Sequence, residues 1–152
     1  MQEIERKFLV DQKIWNPTGN GITIKQAYIS NDPERTVRVR IADDKSFLTI
    51  KGKSVGISRT ELEYEIPGDD AEALMKMAKK HPVEKTRFKQ KYGGFTWEVD
   101  IFHGENKGLV LAEIELENEG QEFEKPDWVD EEVSGDKRYF NVYLSQHPYK
   151  TW

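Results

Sequence analysis

The feature that most constrains this chain is a two-residue alternation of charged and apolar side chains that recurs from one end to the other. Successive side chains of a strand point to opposite faces. In Gln2-Glu3-Ile4-Glu5-Arg6-Lys7-Phe8-Leu9-Val10 that rule sends Glu3, Glu5 and Lys7 one way and Ile4, Phe8 and Val10 the other. The same split sets Arg38 and Arg40 against Val37, Val39 and Ile41, and Glu61, Glu63 and Glu65 against Leu62, Tyr64 and Ile66. It returns with Glu98 and Asp100 against Trp97, Val99 and Ile101, and with Glu113, Glu115 and Glu117 against Ala112, Ile114 and Leu116. An ordinary wet sheet face carries Thr, Ser and Gln as well as charge, whereas most strands here hold two or three ionised groups in a row. Taken alone, the charges of the first strand also read as such a wet face. Repeated through the chain, the pattern predicts an α+β protein that is mainly β. Its eight antiparallel strands close into a barrel, with charges lining the lumen and the apolar face turned outwards beneath the helices.

After the first strand, alternating segments bounded by Asn, Asp, Gly or Pro predict strands at 24–30, 36–42, 47–51, 59–66, 83–92, 95–102 and 109–117. Gly93-Gly94 is a hairpin signal. Between 69 and 80, Ala71, Leu74, Met75 and Ala78 recur at helical spacing, with Asp at the start, Lys at the end and Pro82 beyond. A second helix is expected over 136–147, where Tyr139, Phe140, Tyr143 and Leu144 share a side. The stretch framed by Pro126 and Gly135 reads as irregular.

With 152 residues, 36% of them hydrophobic, and no internal repeat, one domain with a real core is expected. A formal net charge of −5, with acids and bases interleaved, argues against nucleic acid or an anionic membrane as partner. The absence of cysteine removes disulfides, thiolate metal sites and a cysteine nucleophile. No basic leader or membrane-length apolar run is visible, so a soluble cytoplasmic protein is the expectation. Homodimer formation is left open.

A narrow lumen would crowd Lys7, Arg38, Arg40, Lys51, Lys85 and Arg87 beside Glu3, Glu5, Asp100, Glu113 and Glu115. Like charges in restricted space repel, so each sign calls for a counterion: divalent cations for the carboxylates and a polyanion for the bases. A polyphosphate with bound magnesium supplies both.

These residues also carry a family resemblance. Glu3-Ile4-Glu5-Arg6-Lys7 resembles the Glu-x-Glu-x-Lys signature of the CYTH superfamily, the triphosphate tunnel metalloenzymes. Arg38-Val39-Arg40, Thr49-Ile50-Lys51, Glu63-Tyr64-Glu65, Val83-Glu84-Lys85-Thr86-Arg87, Glu98-Val99-Asp100 and Glu113-Ile114-Glu115 follow in order. The segment from Glu132 to Asn141 resembles the family's closing segment, with Lys137 where many small bacterial members have Pro.

The resemblance implies a small-molecule triphosphate bound in an eight-stranded tunnel with Mg²⁺ or Mn²⁺, in a two-metal site. Arg38, Arg40 and Arg87 suit phosphate clamps, and Lys7, Lys51 and Lys85 supply point charges. Glu3, Glu5, Glu113 and Glu115, with Glu63 or Asp100, are the expected metal ligands. Glu61, Glu65, Glu98 and Glu117 read as charge-balancing wall residues. Lys137 and Arg138 either reach the phosphates from one mouth or are solvated.

His81, His103 and His147 sit at element ends and read as structural. In the small bacterial inorganic triphosphatases that this chain most resembles, a Tyr on the second strand and the Lys of Val-Glu-Lys-Thr-Arg form a general base. The positions here are Tyr28 and Lys85, Tyr28 being equally readable as a packing residue at the mouth. The resemblance favours hydrolysis of tripolyphosphate to diphosphate and orthophosphate. A class IV adenylyl cyclase, a nucleoside or thiamine triphosphatase, and a non-catalytic polyphosphate-binding module are the alternatives.

Overall fold

In the computed structural model, residues 1–78 and 80–152 are described. Nine strands run β1 (Gln2–Val10), β2 (Ile22–Ser30), β3 (Arg35–Ala42), β4 (Lys45–Gly52), β5 (Ser58–Ile66), β6 (Val83–Tyr92), β7 (Phe95–Phe102), β8 (Val110–Glu115) and β9 (Val129–Glu132). The helices are α1 (Gly68–Met77) and α2 (Asn141–Gln146), with 3-10 turns at Gly104–Asn106, Lys137–Tyr139 and Tyr149–Thr151. Among the described residues, no helix is long and apolar enough to cross a membrane.

The strands pair antiparallel in the order β5-β4-β3-β2-β6-β7-β8-β1, and the ring closes because β1 also pairs with β5. One edge of β1 takes β8, with Glu5 opposite Glu115 and Lys7 opposite Glu113. Its other edge is divided. Gln2, Glu3 and Ile4 meet Thr60, Arg59 and Ser58, while Phe8 and Val10 meet Glu132 and Val129 of β9. The hairpin from β6 to β7 turns at Gly93 and Gly94 with φ of 58° and 83°. Positive φ at both central residues matches the right-handed twist of the flanking strands, and glycine adopts it without strain.

The alternation places most apolar packing outside the barrel. Phe8, Trp97, Val99, Ala112 and Ile114 form a buried cluster covered by Trp15 and Trp128. Helix α1 lies over Ala27 and Val39 through Ala71, with Leu74 and Met75 at its margin. Helix α2 is different. At one end of the barrel the inward rows turn apolar, ending in Leu9, Val83, Phe102 and Leu111, and Leu144 of α2 packs among them. Only α1 therefore packs on the outer wall, while α2 caps an end.

The eight expected barrel strands are all present, with shifts at their ends. β8 stops at Glu115, where Leu116 leaves the β8 ladder and donates its amide to the Ile4 carbonyl. β9 lies in the stretch read as irregular, because four residues, three of them acidic, carry no alternation. α1 ends at Met77 instead of residue 80, where Ala78 turns extended with ψ 134°, and Lys79 lies outside the described residues. The expected helix over 136–147 is broken at Phe140, whose ψ of 137° separates a 3-10 turn from α2.

Trp97 is fully buried, with ring centroids 5.6 Å from Phe8, 5.8 Å from Phe123 and 5.8 Å from Trp128. Its indole nitrogen has no hydrogen-bond partner. Trp97→Ala should therefore lower the unfolding free energy by about 3–5 kcal/mol. Trp97→Phe, which sacrifices no hydrogen bond and removes less volume, should cost less than Trp97→Ala. Denaturant titration of both variants checks this, and equal losses would mean that the indole nitrogen is satisfied after all.

Candidate active site

Inward-facing side chains of the ring surround a cavity of about 230 Å³, lined by seven acidic and seven basic residues. At ~30 Å³ per water it has room for roughly eight waters, which suits a small hydrated polyanion. Strand order segregates the charges. The neighbours β4, β3, β2 and β6 contribute Lys51, Arg38, Arg40, Tyr28, Lys85 and Arg87. The neighbours β7, β8, β1 and β5 contribute Glu98, Glu113, Glu115, Glu3, Glu5, Glu61 and Glu63, interrupted by Lys7 and Arg59. One wall is thus mainly cationic and the other mainly anionic.

On the cationic wall, Arg40 donates from Nε to Gln26 Oε1 at 2.9 Å. Burial, then Arg38 and Arg87, push its guanidinium down to about 9. Arg38 reaches Thr49 Oγ1 at 3.2 Å and Glu63 Oε2 at 3.6 Å, and its buried Nε has no partner among the described residues. Arginines left short of acceptors in a confined space mark a place for an anion with several oxygens.

Behind them, Arg87 forks onto Asp100 at 2.8 and 2.9 Å, and Lys85 Nζ meets Asp100 Oδ2 at 2.8 Å. These cations hold the Asp100 carboxyl well below the ordinary carboxylate range against the opposing effect of burial. Burial drives Lys85 down to about 7 despite Asp100, with Arg87 and Arg40 adding to the effect. Asp100, expected among the metal ligands, instead spends both oxygens anchoring two bases.

The anionic wall sets like charges face to face. Glu5 is directly opposite Glu115, and Glu98 is opposite Glu113; opposed like charges on a ladder destabilise it. Burial, then Glu113 and Glu3, push Glu5 up to about 8. Burial, Glu3 and Glu98 also raise Glu115. Burial opposes ionisation of Glu113 and Glu3 too, but Lys7 and Arg87 hold Glu113 at about 2. Lys51 and a hydrogen bond with Glu61 do the same for Glu3. Lys51 Nζ lies 3.0 Å from Glu3 and 3.3 Å from Glu61.

Among the described residues, no three acidic or imidazole groups already converge as a metal cage. The donor set nonetheless fits a hard cation, because carboxylate oxygens crowd Glu5 and repel one another, and a divalent ion would let Glu5 ionise.

The structure brings Lys7, Tyr28, Lys51 and Lys85 to this cavity with the arginines. Lys7 Nζ donates to the Tyr139 carbonyl at 3.0 Å and lies 3.5 Å from Glu113. Tyr28 has only a long contact, 3.5 Å from Gln26 Nε2. Glu63 lines the cavity but serves Thr49 Oγ1, at 2.9 Å, and Arg38. Lys137 and Arg138 do not reach the lining. Lys137 is exposed, and Arg138 pairs with Asp136 at 2.6 Å and lies over the Tyr139 and Trp152 rings.

Sequence reading passed over Arg59, although it shares strand parity with Glu61 and Glu63 and lies 3.5 Å from Glu3. It also passed over Asn141, whose Oδ1 accepts from Lys85 Nζ at 3.0 Å and for which no local pattern gave a signal.

A family model described as the CYTH domain matches residues 1–142. An inorganic triphosphatase of Acetivibrio thermocellus is 50% identical over 152 residues, spanning 99% of this chain and 97% of that one. An inorganic triphosphatase of Nitrosomonas europaea is 36% identical over 151 residues, spanning 95% and 97%. The crystal structure of an inorganic triphosphatase superposes with a TM-score of 0.67 at 34% identity, covering 93% of this chain and 96% of that chain.

Two outcomes follow from the electrostatics. Asp100→Ala leaves Arg87 and Lys85 buried without their counterion and should cost about 3–5 kcal/mol of stability; a melting temperature like that of the parent would refute the anchoring role. A free glutamate has lost its proton by about pH 5, whereas Glu5 in the folded state holds it to about pH 8. Between these limits the folded state keeps a Glu5 proton that the unfolded chain has lost, so the Glu5 contribution to the stability of the cation-free protein falls as pH rises. Glu5→Gln should flatten that fall and weaken the stabilisation by Mg²⁺ or Mn²⁺, both read from thermal melts with chelator or metal. A slope unchanged in the variant would refute the assignment.

Proposed function

This chain belongs to the CYTH family, and on that premise we propose that it is a metal-dependent inorganic triphosphatase, splitting tripolyphosphate into diphosphate and orthophosphate inside the barrel. One observation carries the reading: a mainly cationic wall, in which the buried Arg38 Nε lacks an acceptor, faces a wall of mutually repelling carboxylates across a small cavity. A linear polyanion accompanied by a divalent cation satisfies both walls at once.

Arg38 and Arg40 bind non-bridging oxygens through their guanidinium forks, and Lys7, Lys51, Lys85 and Arg87 add positive charge around the chain. Glu5, Glu113, Glu115 and Glu3 would hold the metal, Mg²⁺ or Mn²⁺, which when bound neutralises phosphate charge and lowers the pKa of its water. Positioning and charge neutralisation supply most of the rate enhancement in phosphoryl transfer. Attack on a terminal phosphorus forms one oxygen–phosphorus bond and breaks the bridging one, leaving diphosphate. To take the proton of the attacking water Tyr28 must act as its phenolate, with Lys85 supplying positive charge to the lumen. Their support is that both line the cavity, Tyr28 opposite Arg38 and Lys85 opposite Ile24, four residues before Tyr28 on β2.

The inorganic substrate is favoured over a nucleotide by the charge of the lining, where seven acidic and seven basic side chains outnumber the apolar Ile57, Phe140 and Val142. At the capped end, Leu144 fills the space among Leu9, Val83, Phe102 and Leu111.

Incubation with tripolyphosphate or ATP, with and without Mg²⁺ or Mn²⁺, tests the proposal. Equal amounts of diphosphate and orthophosphate from tripolyphosphate, only with metal, are expected. Cyclic AMP and diphosphate from ATP would replace the reading with a cyclase. Tyr28→Phe should reduce kcat about 10²–10⁴-fold with KM little changed, and an unaltered kcat and pH–rate profile would remove Tyr28 as base.

A further inference from the structure

We infer that Asn141 is a positioning residue for Lys85. The inference rests on the triphosphatase reading for its kinetic arm alone. Lys85 is fully buried and belongs to β6, while Asn141 begins the short helix that caps the barrel. An ammonium has three donors. Asp100 Oδ2 takes one at 2.8 Å and Asn141 Oδ1 a second at 3.0 Å, from a different part of the chain. Two acceptors in fixed directions determine where the third donor points, and Lys85 and Asn141 both line the cavity.

The amide stands at the border between two environments. Beyond it lie Val83, Phe102 and Leu144, an apolar surround in which a lysine head would lose hydration. The Phe102 ring centroid is 5.4 Å from Lys85 Nζ, a cation–π contact that attracts the ammonium without specifying a direction. Asp100 alone cannot specify one either, because it is also engaged by two Arg87 nitrogens.

A neutral amide adds direction without adding a charge that a phosphate would have to displace. Lys7 shows the same arrangement on the other wall, where the neutral Tyr139 carbonyl accepts from its Nζ at 3.0 Å. The closing segment thus holds a lysine from each wall through uncharged oxygens.

The test compares Asn141→Leu, which removes the acceptor at similar volume, with Asn141→Asp, which keeps an acceptor at the same reach. Asn141→Leu is expected to lower kcat for tripolyphosphate about tenfold with KM within about twofold, and Asn141→Asp to retain most of the parental kcat while raising KM through the charge that the neutral amide avoids. A second readout needs no turnover. Acetic anhydride labelling, mapped by peptide mass spectrometry on the substrate-free protein, should become several-fold faster at Lys85 in Asn141→Leu alone, with Lys7 unchanged. Parental kcat and labelling in Asn141→Leu would overturn the inference. So would an equal loss in both variants with unaltered Lys85 labelling, which would make Asn141 a structural cap. If the parent does not hydrolyse tripolyphosphate, the triphosphatase reading fails and the labelling comparison still decides the role of Asn141.

Discussion

The site depends on a short ladder, three residues of β1 against three of β5, which closes the ring. Without it the structure would be an open twisted sheet, its charged face would meet bulk water, and most of the interactions among its carboxylates and bases would be screened. Closure raises the energy of every unpaired charge. It therefore changes what the same side chains can do, because Glu5 and Lys85 acquire pKa values of about 8 and about 7 only in a desolvated lumen.

The lumen is neither a network of satisfied ion pairs nor a set of isolated charges. Asp100, Arg87 and Lys85 form a compact paired base, and Glu3, Lys51 and Glu61 form another at a different point of the ring. Between these anchors stand Arg38, Arg40 and Glu5, with fewer partners than their chemistry accepts. Breaking a buried pair strands the remaining charge, so the anchor groups can add charge or a ligand oxygen to the site only while keeping their partners. The under-satisfied groups are suited to taking a ligand as partner, since an incoming counterion offsets a penalty that the fold already bears.

Strand parity made the barrel, the charged lumen and the hairpin at Gly93 and Gly94 legible in the sequence. It put Lys7, Arg38, Arg40, Lys51, Lys85, Arg87, Glu3, Glu5, Glu113 and Glu115 on the inner face, where they line the cavity. Parity gives a side and not a partner, which is why Asp100 read as a ligand although it faces Arg87 and Lys85. β9 was hidden because its pairing is set by the free edge of β1, outside its own acidic sequence. The cap was hidden for a related reason: Tyr139, Phe140 and Leu144 suggested a helix on the outer wall, whereas Tyr139 and Leu144 join the cluster of Leu9 and Leu111 and Phe140 lines the cavity, both long-range facts. Arg138 looked available for phosphate because its bond to Asp136 and its stacking on Trp152 depend on local turns.

Segregation of the two signs has a thermodynamic consequence for binding. A bare polyanion would satisfy Arg38 and Arg40 while bringing more negative charge towards Glu5, Glu113 and Glu115. A bare cation would relieve those glutamates while facing the arginines. Each ion is therefore a better ligand when the other is present, and the linkage is reciprocal: whatever factor the cation contributes to anion affinity, the anion returns to the cation. Cavity size sharpens the effect, since water in so small a volume screens poorly. The Glu5 proton belongs to the same linkage, because a cation that lets Glu5 ionise displaces that proton, whereas an anion beside Lys85 favours keeping its own. Loading the tunnel is on this argument a coupled exchange of a cation, a polyanion and protons, governed by two walls that the strand order holds apart.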